Sequence, residues 1–393
     1  MNKNHIEQAN IELIPIEGCS GCTACSHICP TGAIEMKTDS QGFKYPQVNQ
    51  DKCIFCSKCI AVCPYSKEIL HQPNKDAFAV KNNEKTDQVT STSGGFASAL
   101  TRNVLEQGGK VFGVILTDNF EIKTVLADNI QTAEAFKGSK YVQTDLGDTF
   151  TEIANFLNQG MKVAFFGTSC HVDGLLHFLE LKRVNCDKLV TVDFLCHGVP
   201  SPVLFKQYCD YASRYRKLTT YLFRTKANGW GTGSNRYAPT LVYGKRKETD
   251  TPLARAWIDL FFSNNCLRPH CYQCPYASAQ KRSADMTMAD FWGLKNVLPD
   301  FFDTDGVSLV LVNTTKGLTT FNALQNIITK TCSLESSVRR QTNFFCPSNK
   351  PLSYEKFWED YNIKGFSYII HNYTRYNIKG QLKYVVKKIL RKL

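Results

Sequence analysis

The chain has 393 residues, 43% of them hydrophobic and 21% charged, a composition that excludes a disordered protein and provides cores for two or three domains. No run approaches about 18 consecutive apolar residues, and the first twenty residues lack the features of a signal peptide, so we expect a cytoplasmic protein. The net charge is +12, but residues 375–393 carry seven basic side chains and no acid. The charge is therefore local and does not indicate a nucleic-acid-binding protein.

A repeated cysteine motif dominates the amino-terminal region. Seventeen cysteines in a large chain that is kept reduced indicate metal or redox chemistry instead of disulfides. The spacing C-x2-C-x2-C-x3-C-P occurs twice, 34 residues apart: Cys19, Cys22, Cys25 and Cys29 before Pro30, and Cys53, Cys56, Cys59 and Cys63 before Pro64. In two-cluster ferredoxins with this spacing, the fourth cysteine of each run ligates the other cluster.

We therefore predict that these thiols bind two [4Fe-4S] clusters. The predicted ligands are Cys19, Cys22, Cys25 and Cys63 for one cluster, and Cys53, Cys56, Cys59 and Cys29 for the other. The alternative is structural zinc, which normally uses four ligands in two separated pairs and so fits eight cysteines in this spacing poorly. Residues 1–75 thus resemble a bacterial two-[4Fe-4S] ferredoxin, an α+β domain that moves one electron at a time.

The sequence pattern changes after residue 75. The polar run of residues 81–93 predicts a linker or an approach loop. Short apolar, β-branched runs then predict buried strands at residues 110–117, 162–168, 188–196 and 306–314. Helical patterns lie between them at residues 95–109 and 171–180. Strands that alternate with helices predict an α/β domain with a parallel or mixed sheet.

Further cysteines follow the predicted strands of this domain. Cys170 and Cys196 lie at the carboxyl ends of two strands, where ligands gather in open α/β sheets, and Cys271 and Cys274 form a C-x2-C pair. Together they provide four thiolates, enough for a third [4Fe-4S] cluster. The first two could instead be small buried hydrophobic residues. Cys266 stays open as a substitute ligand, because its spacing to Cys271 and Cys274 matches plant-type [2Fe-2S] proteins.

The remaining motifs are weaker by themselves. Cys186, Cys209, Cys332 and Cys346 stand apart and are expected to be packing residues. Ser93, Gly94 and Gly95 precede a predicted helix, whose amino terminus could hold a phosphate, although an ordinary helix cap is the alternative. No dinucleotide fingerprint or P-loop motif occurs.

Seven motifs in order resemble the beta subunit of coenzyme F420 hydrogenase/dehydrogenase, in the form that carries a two-cluster ferredoxin at its amino terminus. Between about residues 15 and 295 they are STSGGFASAL, GSKYVQTDLGDTF, FFGTSCHVDGL, TVDFLCHGVPSP, FRTKANGW, RPHCYQCPY and ADMTMADFWG. Members of this family share FAD and iron-sulfur electron transfer. The chain departs from the family at Ser169, where a proline is usual, and at Ala289, where a glycine is usual and a tight turn is expected to change.

The resemblance implies a flavin-binding α/β domain and assigns residues to it. FAD is expected to contact Ser93, Gly94, Gly95, Lys140, Tyr141, Gln143 and Lys226. The resemblance also favours the third cluster on Cys170, Cys196, Cys271 and Cys274. The implied division of the chain is the ferredoxin domain at residues 1–75, beta-subunit regions at 76–160 and 161–345, and an aromatic and basic tail at 346–393.

These features predict an oxidoreductase that passes electrons between ferredoxin or another redox protein and a small organic substrate, through the clusters and FAD. Nothing in the sequence decides between coenzyme F420 and another hydride acceptor. His197, Lys140 and Lys226 are the predicted catalytic residues, with His197 the proton donor, although it could also be merely hydrogen-bonded. The alternative function is a non-catalytic subunit that relays electrons to a partner enzyme.

The tail ends in an amphipathic pattern. The apolar side chains on one predicted face are Leu382, Val385, Val386, Ile389, Leu390 and Leu393, and the basic ones opposite are Lys383, Lys387, Lys388, Arg391 and Lys392. This pattern predicts a helix that contacts the anionic inner face of a membrane, or else one that packs on the body of the protein. Residues 315–374 contain aromatic clusters without a recognisable chemical motif.

Overall fold

The computed structural model describes residues 10–66, 76–231, 237–278 and 282–390. The strands are β1 Ile34–Thr38, β2 Lys44–Val48, β3 Asp76–Asn82, β4 Lys110–Leu116, β5 Ile122–Ala127, β6 Val163–Phe166, β7 Leu189–Phe194, β8 Thr220–Thr225, β9 Ala238–Tyr243, β10 Arg246–Thr249, β11 Met286–Asp290, β12 Ser308–Val312 and β13 Ile327–Ser333.

The helices range from single turns to the long α14. They are α1 Ala24–Ile28, α2 Lys58–Ala61, α3 Lys85–Thr90, α4 Phe96–Glu106, α5 Ile130–Ala133, α6 Thr149–Asn158, α7 Ser169–Leu181, α8 Pro202–Ser213, α9 Pro252–Phe262, α10 Leu294–Val297, α11 Thr315–Asn322, α12 Leu334–Val338, α13 Thr342–Phe345, α14 Tyr354–Asn372 and α15 Ile378–Leu390. Within the described ranges, no helix is both long and apolar enough to cross a membrane.

The two cysteine runs fold alike. Helices α1 and α2 each begin just before the third cysteine of a run, and each follows a residue with left-handed backbone, Thr23 (φ 65°) and Ser57 (φ 56°). These two residues occupy equivalent positions of the repeat. Strands β1 and β2 form an antiparallel hairpin between the runs. The repeat seen in the sequence is therefore also a structural repeat.

The body of the protein is built on an eight-stranded mixed sheet of order β13-β3-β12-β11-β7-β6-β4-β5. The four neighbouring strands β11, β7, β6 and β4 run parallel, and the flanking strands are antiparallel to their neighbours. The predicted strands are confirmed as β4, β6, β7 and β12, and the prediction of a parallel or mixed sheet is confirmed as a mixed one. The carboxyl ends of the parallel strands meet at one edge, which is where a site is expected.

The prediction of a linker at residues 81–93 is wrong. Its first two residues end β3, which lies inside the sheet between β12 and β13, and most of the remainder forms α3. Three polar side chains of the run, Asn82, Asp87 and Gln88, are buried with partners: Asn82 donates to the carbonyl of Gly95, and Asp87 pairs with Lys137 at 2.7 Å. The polar residues 83–86 are exposed, whereas the three buried residues hold the segment on the sheet domain, because a buried polar residue is stable once it is hydrogen-bonded.

The implied boundary at residue 160 does not separate two sheets. Strands β4 and β6 lie on either side of it and pair in parallel. A smaller sheet, β10-β9-β8, packs with α8, α9 and α14 around buried aromatic side chains such as Tyr208, Trp257 and Phe357. The aromatic clusters of residues 315–374 thus contribute to the core. The domain division itself stays a prediction.

The amino-terminal part docks closely on the sheet domain. A methyl group added at Gly174 on α7 would lie 2.8 Å from the Cys22 sulfur, so only glycine permits this approach. His27 contacts the Gly147 carbonyl at 3.0 Å, and Lys44 forms an ion pair with Asp145 at 2.8 Å. These contacts hold the first cysteine run against the sheet domain.

Candidate functional site

The eight amino-terminal cysteines line two separate cavities. Cys19, Cys22, Cys25 and Cys63 line one of them, and Cys29, Cys53, Cys56 and Cys59 line the other. Because α1 and α2 lie side by side, the last cysteine of each run reaches the cavity of the other run. This is the grouping predicted from the spacing, whereas the role of these thiols as ligands stays a prediction.

Burial raises the pKa of four of these thiols, those of Cys22, Cys25, Cys59 and Cys63, and so favours their neutral form. Burial raises the pKa of Cys22 to about 12, with a smaller contribution from the neighbouring Cys63. No group of three or more His, Cys, Asp or Glu side chains in the described ranges could hold a single metal ion. The four thiolates of a [4Fe-4S] cluster each bind a different iron, and therefore stand further apart than ligands of one ion.

A third group of four thiols is assembled at the carboxyl edge of the sheet. Cys170 lies in the first turn of α7 just after β6, and Cys196 follows β7, the adjacent parallel strand. Cys271 and Cys274 come from a 3-10 turn at Pro269–Gln273 and its end. All four line one cavity. Burial, and next the neighbouring Cys274, raise the pKa of Cys196 to about 12.

Cys266 does not belong to this group. It is fully buried in the aromatic core, donates to the Leu260 carbonyl at 3.4 Å, and does not line the cavity of the four thiols. Its sequence spacing to Cys271 and Cys274 is therefore not reflected in space. Of the cysteines predicted to be packing residues, Cys209 is buried in the core, whereas Cys346 is exposed and contradicts that prediction.

The two departures from the family pattern have different consequences. The Ser169 hydroxyl donates to Asp193 at 2.6 Å and accepts from Arg282 at 2.9 Å, within a buried network beside the third group of thiols. Ala289 lies inside β11, paired with Leu309. The expectation of a tight turn at this position is therefore wrong.

A cavity of about 1580 Å³ opens beside the third group of thiols. Its lining includes the predicted residues Ser93, Gly95, Lys140, Tyr141 and His197. It also includes residues that the sequence did not single out, among them His171, Trp292, Asn343 and Ser348. Cys196, His171 and His197 line both this cavity and the thiol cavity, so the two share a wall.

The serine and glycines before α4 have different roles. The Ser93 hydroxyl donates to the Val307 carbonyl at 2.9 Å, and the Gly94 N–H donates to the Ser308 hydroxyl at 3.0 Å. A methyl group at Gly94 would lie 2.2 Å from the Val80 carbonyl, so this glycine serves packing on the sheet. Helix α4 begins after Gly95 without a side-chain cap, and its first turn lines the large cavity. The uncapped N–H groups there suit an anion.

Both predicted catalytic lysines have three backbone carbonyl acceptors. Lys140 donates to the carbonyls of Ala135, Phe136 and Lys137 at 2.8, 3.0 and 2.9 Å, and burial lowers its pKa to about 7. Lys226 donates to the carbonyls of Gln88, Ser93 and Asp305. Burial, and next the charge of Arg224, lower the pKa of Lys226 to about 8. Lys226 does not line the large cavity, and both catalytic assignments stay predictions.

Tyr141 and Gln143 point to different places. Tyr141 lines the large cavity and stacks on Phe261 with ring centroids 4.8 Å apart. Gln143 does not line it: its amide donates to the Ser20 carbonyl at 3.2 Å and accepts from Arg268 at 3.1 Å. The structure therefore places Gln143 between the cysteine run and the sheet domain, away from the expected flavin contact.

Two histidines lie in the wall between the cavities. His197 is hydrogen-bonded on both nitrogens, to Asn264 at 2.7 Å and to Asn343 and Ser348 at 3.3 Å. His171 is buried, and its Nδ1 has no hydrogen-bond partner among the described residues. Burial, and next the charge of Arg268, lower the pKa of His171 to about 4, so it is neutral at pH 7. Its position directly after Cys170 was the signal that sequence analysis passed over.

Two family models match the chain. Residues 18–67 match the 4Fe-4S dicluster domain, and residues 160–337 match the model for the C terminus of the coenzyme F420 hydrogenase/dehydrogenase beta subunit. The chain is therefore an iron-sulfur electron-transfer protein. The two matched segments are similar to a dicluster domain and to the C terminus of the coenzyme F420 hydrogenase/dehydrogenase beta subunit, which confirms the resemblance drawn from the motifs.

Individual relatives are distant. A subunit of the F(420)H(2) dehydrogenase of Methanosarcina mazei is 22% identical over 197 residues, which are 47% of this chain and 55% of that protein. An uncharacterized polyferredoxin-like protein of Methanocaldococcus jannaschii is 41% identical over 56 residues, 12% of this chain and 33% of that protein. The chain thus spans about half of the first relative and a third of the second.

One solved structure is also similar. It belongs to the F420-reducing [NiFe] hydrogenase complex from Methanosarcina barkeri, is 15% identical, and covers 77% of this chain and 93% of its own chain with a TM-score of 0.46. This score is too low to bear on function.

The carbonyl contacts of Lys140 lead to a first prediction. Replacing Lys140 with Met removes the donor of three backbone carbonyls, two of them partly buried, so we expect the free energy of unfolding to fall by about 1–3 kcal/mol. Chemical denaturation measures the free energy of unfolding. The control is Lys123→Met, at a partly exposed lysine on β5, which should change this free energy by less than about 0.5 kcal/mol. Lost turnover with unchanged stability would instead favour a catalytic Lys140.

Proposed function

We propose that this protein is an FAD- and iron-sulfur-dependent oxidoreductase, which exchanges electrons between ferredoxin or a similar redox protein and a small organic substrate. The observation that carries the proposal is the shared wall, in which Cys196 lines both the cavity of the third group of thiols and the large cavity. FAD, when bound, converts between single electrons and a hydride equivalent. The first substrate to test is coenzyme F420, because it occurs in the name of a relative.

The thiols fit three clusters. Each of the three cavities is lined by four cysteines from different segments of the chain, the number of ligands that a [4Fe-4S] cluster takes. The cavities of Cys19 and of Cys170 also share lining residues, Ser20, His270 and Tyr276. The cavity lined by Cys19 is therefore adjacent to the cavity lined by Cys170. The cavity lined by Cys170 is in turn adjacent to the large cavity.

The large cavity fits FAD. Its volume exceeds the range of about 300–1,000 Å³ that is usual for ligand pockets, as a large dinucleotide requires. The uncapped start of α4 is suited to a phosphate, and the aromatic rings of Tyr141 and Trp292 belong to the lining of the cavity. His171 leaves a buried nitrogen without a partner among the described residues, which a bound group would satisfy.

The side chains around the cavity have supporting roles in this proposal. Lys140 and Lys226 brace the loops that form the wall, because each ammonium group binds three backbone carbonyls. His197 is held in one orientation by Asn264 and Asn343 and can present a proton to the cavity only if one of these bonds breaks. Residues 342, 343 and 346–349 also line the cavity.

The cluster content tests this proposal directly. Anaerobically purified protein is expected to contain about twelve irons and one FAD per chain, and Cys196→Ser should contain about eight irons. Cys266→Ser is the matched control, because this buried cysteine lies outside the third group of thiols and should leave about twelve. Eight irons without flavin in the unaltered protein would contradict the proposal and leave only the dicluster domain.

The relay alternative remains because the relatives are named as subunits. We expect the isolated chain, with a chemically reduced ferredoxin as donor, to reduce coenzyme F420 or another small hydride acceptor, and to lose this turnover when FAD is removed. Anaerobic absorbance assays measure the reaction. Turnover that requires addition of a partner enzyme, with all cofactors present, would favour the non-catalytic relay.

A peripheral membrane contact through α15 is a separate part of the proposal. The apolar side chains of Ile378, Leu382 and Val386 are 77%, 61% and 53% exposed and recur every four residues along the helix. The remaining predicted positions lie outside the described residues: the side chains of Val385, Lys387, Lys388, Ile389 and Leu390, and all of Arg391, Lys392 and Leu393. An exposed apolar stripe beside lysines is suited to an anionic lipid surface.

We expect the protein to pellet with vesicles that contain anionic lipid, and to remain in the supernatant with neutral vesicles. Deletion of residues 381–393 should abolish pelleting, because it removes most of the stripe and the basic side chains. Substitution of Leu222 by Ser on β8, an exposed apolar residue outside the tail, is the matched control and should pellet normally. Undiminished pelleting of the truncated protein would contradict the membrane contact.

A further inference from the structure

Arg268 is a buried arginine between the first and third groups of thiols. Its side chain is fully buried, at 0% exposed, and it comes from the segment just before the 3-10 turn that carries Cys271. Its Nε donates to the Cys19 carbonyl at 2.8 Å, and its Nη2 donates to the Lys44 carbonyl at 2.9 Å and to the Cys19 sulfur at 3.5 Å. Gln143 accepts from Nη1 at 3.1 Å.

Among the described residues, the partners of this guanidinium include no carboxylate. They are carbonyl and amide oxygens, one sulfur, and the rings of Tyr45 and Phe43, whose centroids lie 4.2 and 5.5 Å away. Two other buried arginines differ: Arg282 pairs with Asp193 at 3.3 Å, and Arg224 pairs with Asp290 at 2.5 Å. A buried cation without a counter-charge is strongly unfavourable. The fold therefore leaves a positive charge to be balanced at the Cys19 sulfur.

We propose that Arg268 is a positioning residue that raises the reduction potential of the cluster held by Cys19, Cys22, Cys25 and Cys63. This inference rests on the proposed function, because it requires that cluster to be present. Reduction by one electron adds one negative charge to the cluster, and the guanidinium stabilises that charge directly through its hydrogen bond to the Cys19 sulfur. Arg268 remains protonated throughout, so no proton is transferred.

Gln143 holds the guanidinium in this place. Its amide oxygen accepts from Arg268 while its amide nitrogen donates to the Ser20 carbonyl at 3.2 Å, so it links the arginine to the first cysteine run. Gly21, with φ +73°, brings the run close: a methyl group there would lie 2.7 Å from the Gln143 amide and 2.8 Å from Arg268. Arginine, glutamine and loop thus form one arrangement around the thiols.

The test is a redox titration of the full-length protein with dithionite, followed by electron paramagnetic resonance of the reduced clusters. In Arg268→Gln, we expect the equilibrium constant for reduction of one cluster to fall at least tenfold, a shift of about 59 mV to lower potential for one electron. Arg268→Lys keeps the positive charge, so its cluster potential should lie at least halfway back from the value of Arg268→Gln to that of the unaltered protein. Arg214→Gln removes an arginine that stacks on Tyr211 and lines none of the three thiol cavities, and should shift no cluster.

A second variant covers the case in which Arg268→Gln fails to retain iron. Gln143→Glu keeps Arg268 but places a carboxylate against it, and should lower the same potential by cancelling the charge. If the clusters assemble and neither substitution changes an equilibrium constant by more than twofold, the inference is overturned. That result is distinct from failure of the proposed function, in which the unaltered protein would itself lack the cluster signals or the flavin.

Discussion

The arrangement of this protein depends on one geometric constraint: neighbouring parallel strands end at the same edge of a sheet. Strands β6 and β7 pair in parallel, and the cysteine that follows each of them reaches the same cavity. The C-x2-C pair completes the group from a loop more than seventy residues away, packed against Val199 through a hydrogen bond to Cys271. The large cavity lies at the same edge because the first turn of α4 also faces it. Without this strand order, neither site would exist.

The structure also depends on the contact between the cysteine runs and the sheet domain. It is built from close approaches that allow no larger residue, at Gly21 and Gly174, and from polar side chains that reach across, such as Lys44 and His27. Arg268 and Gln143 lie at the centre of this contact. One of the side chains that join the two parts of the protein, Arg268, therefore also contacts the sulfur of Cys19.

Several polar residues that look functional in the sequence have structural partners. Lys140 and Lys226 each bind three carbonyls, and Asn82 and Asp87 are buried within hydrogen-bonded pairs. A sequence motif does not show whether a residue contacts a ligand or stabilises the backbone that forms the wall of the cavity. His171 shows the reverse, since it lies within a motif but was given no role, and yet it stands between the two cavities with a nitrogen that has no partner in the described part of the chain.

Spacing and hydrophobic periodicity are local properties of a sequence. For this reason the sequence predicted the repeated cysteine runs, the grouping of their thiols, the buried strands and the resemblance to a family. The sequence could not decide whether Cys266 joins the third group of thiols, whether residues 81–93 are a linker, or which way Gln143 faces. Those answers depend on strand order, on burial of polar groups with distant partners, and on contacts between segments more than one hundred residues apart. Such contacts leave no periodic signal in the chain, and they are defined once the sheet and the cysteine runs have packed together.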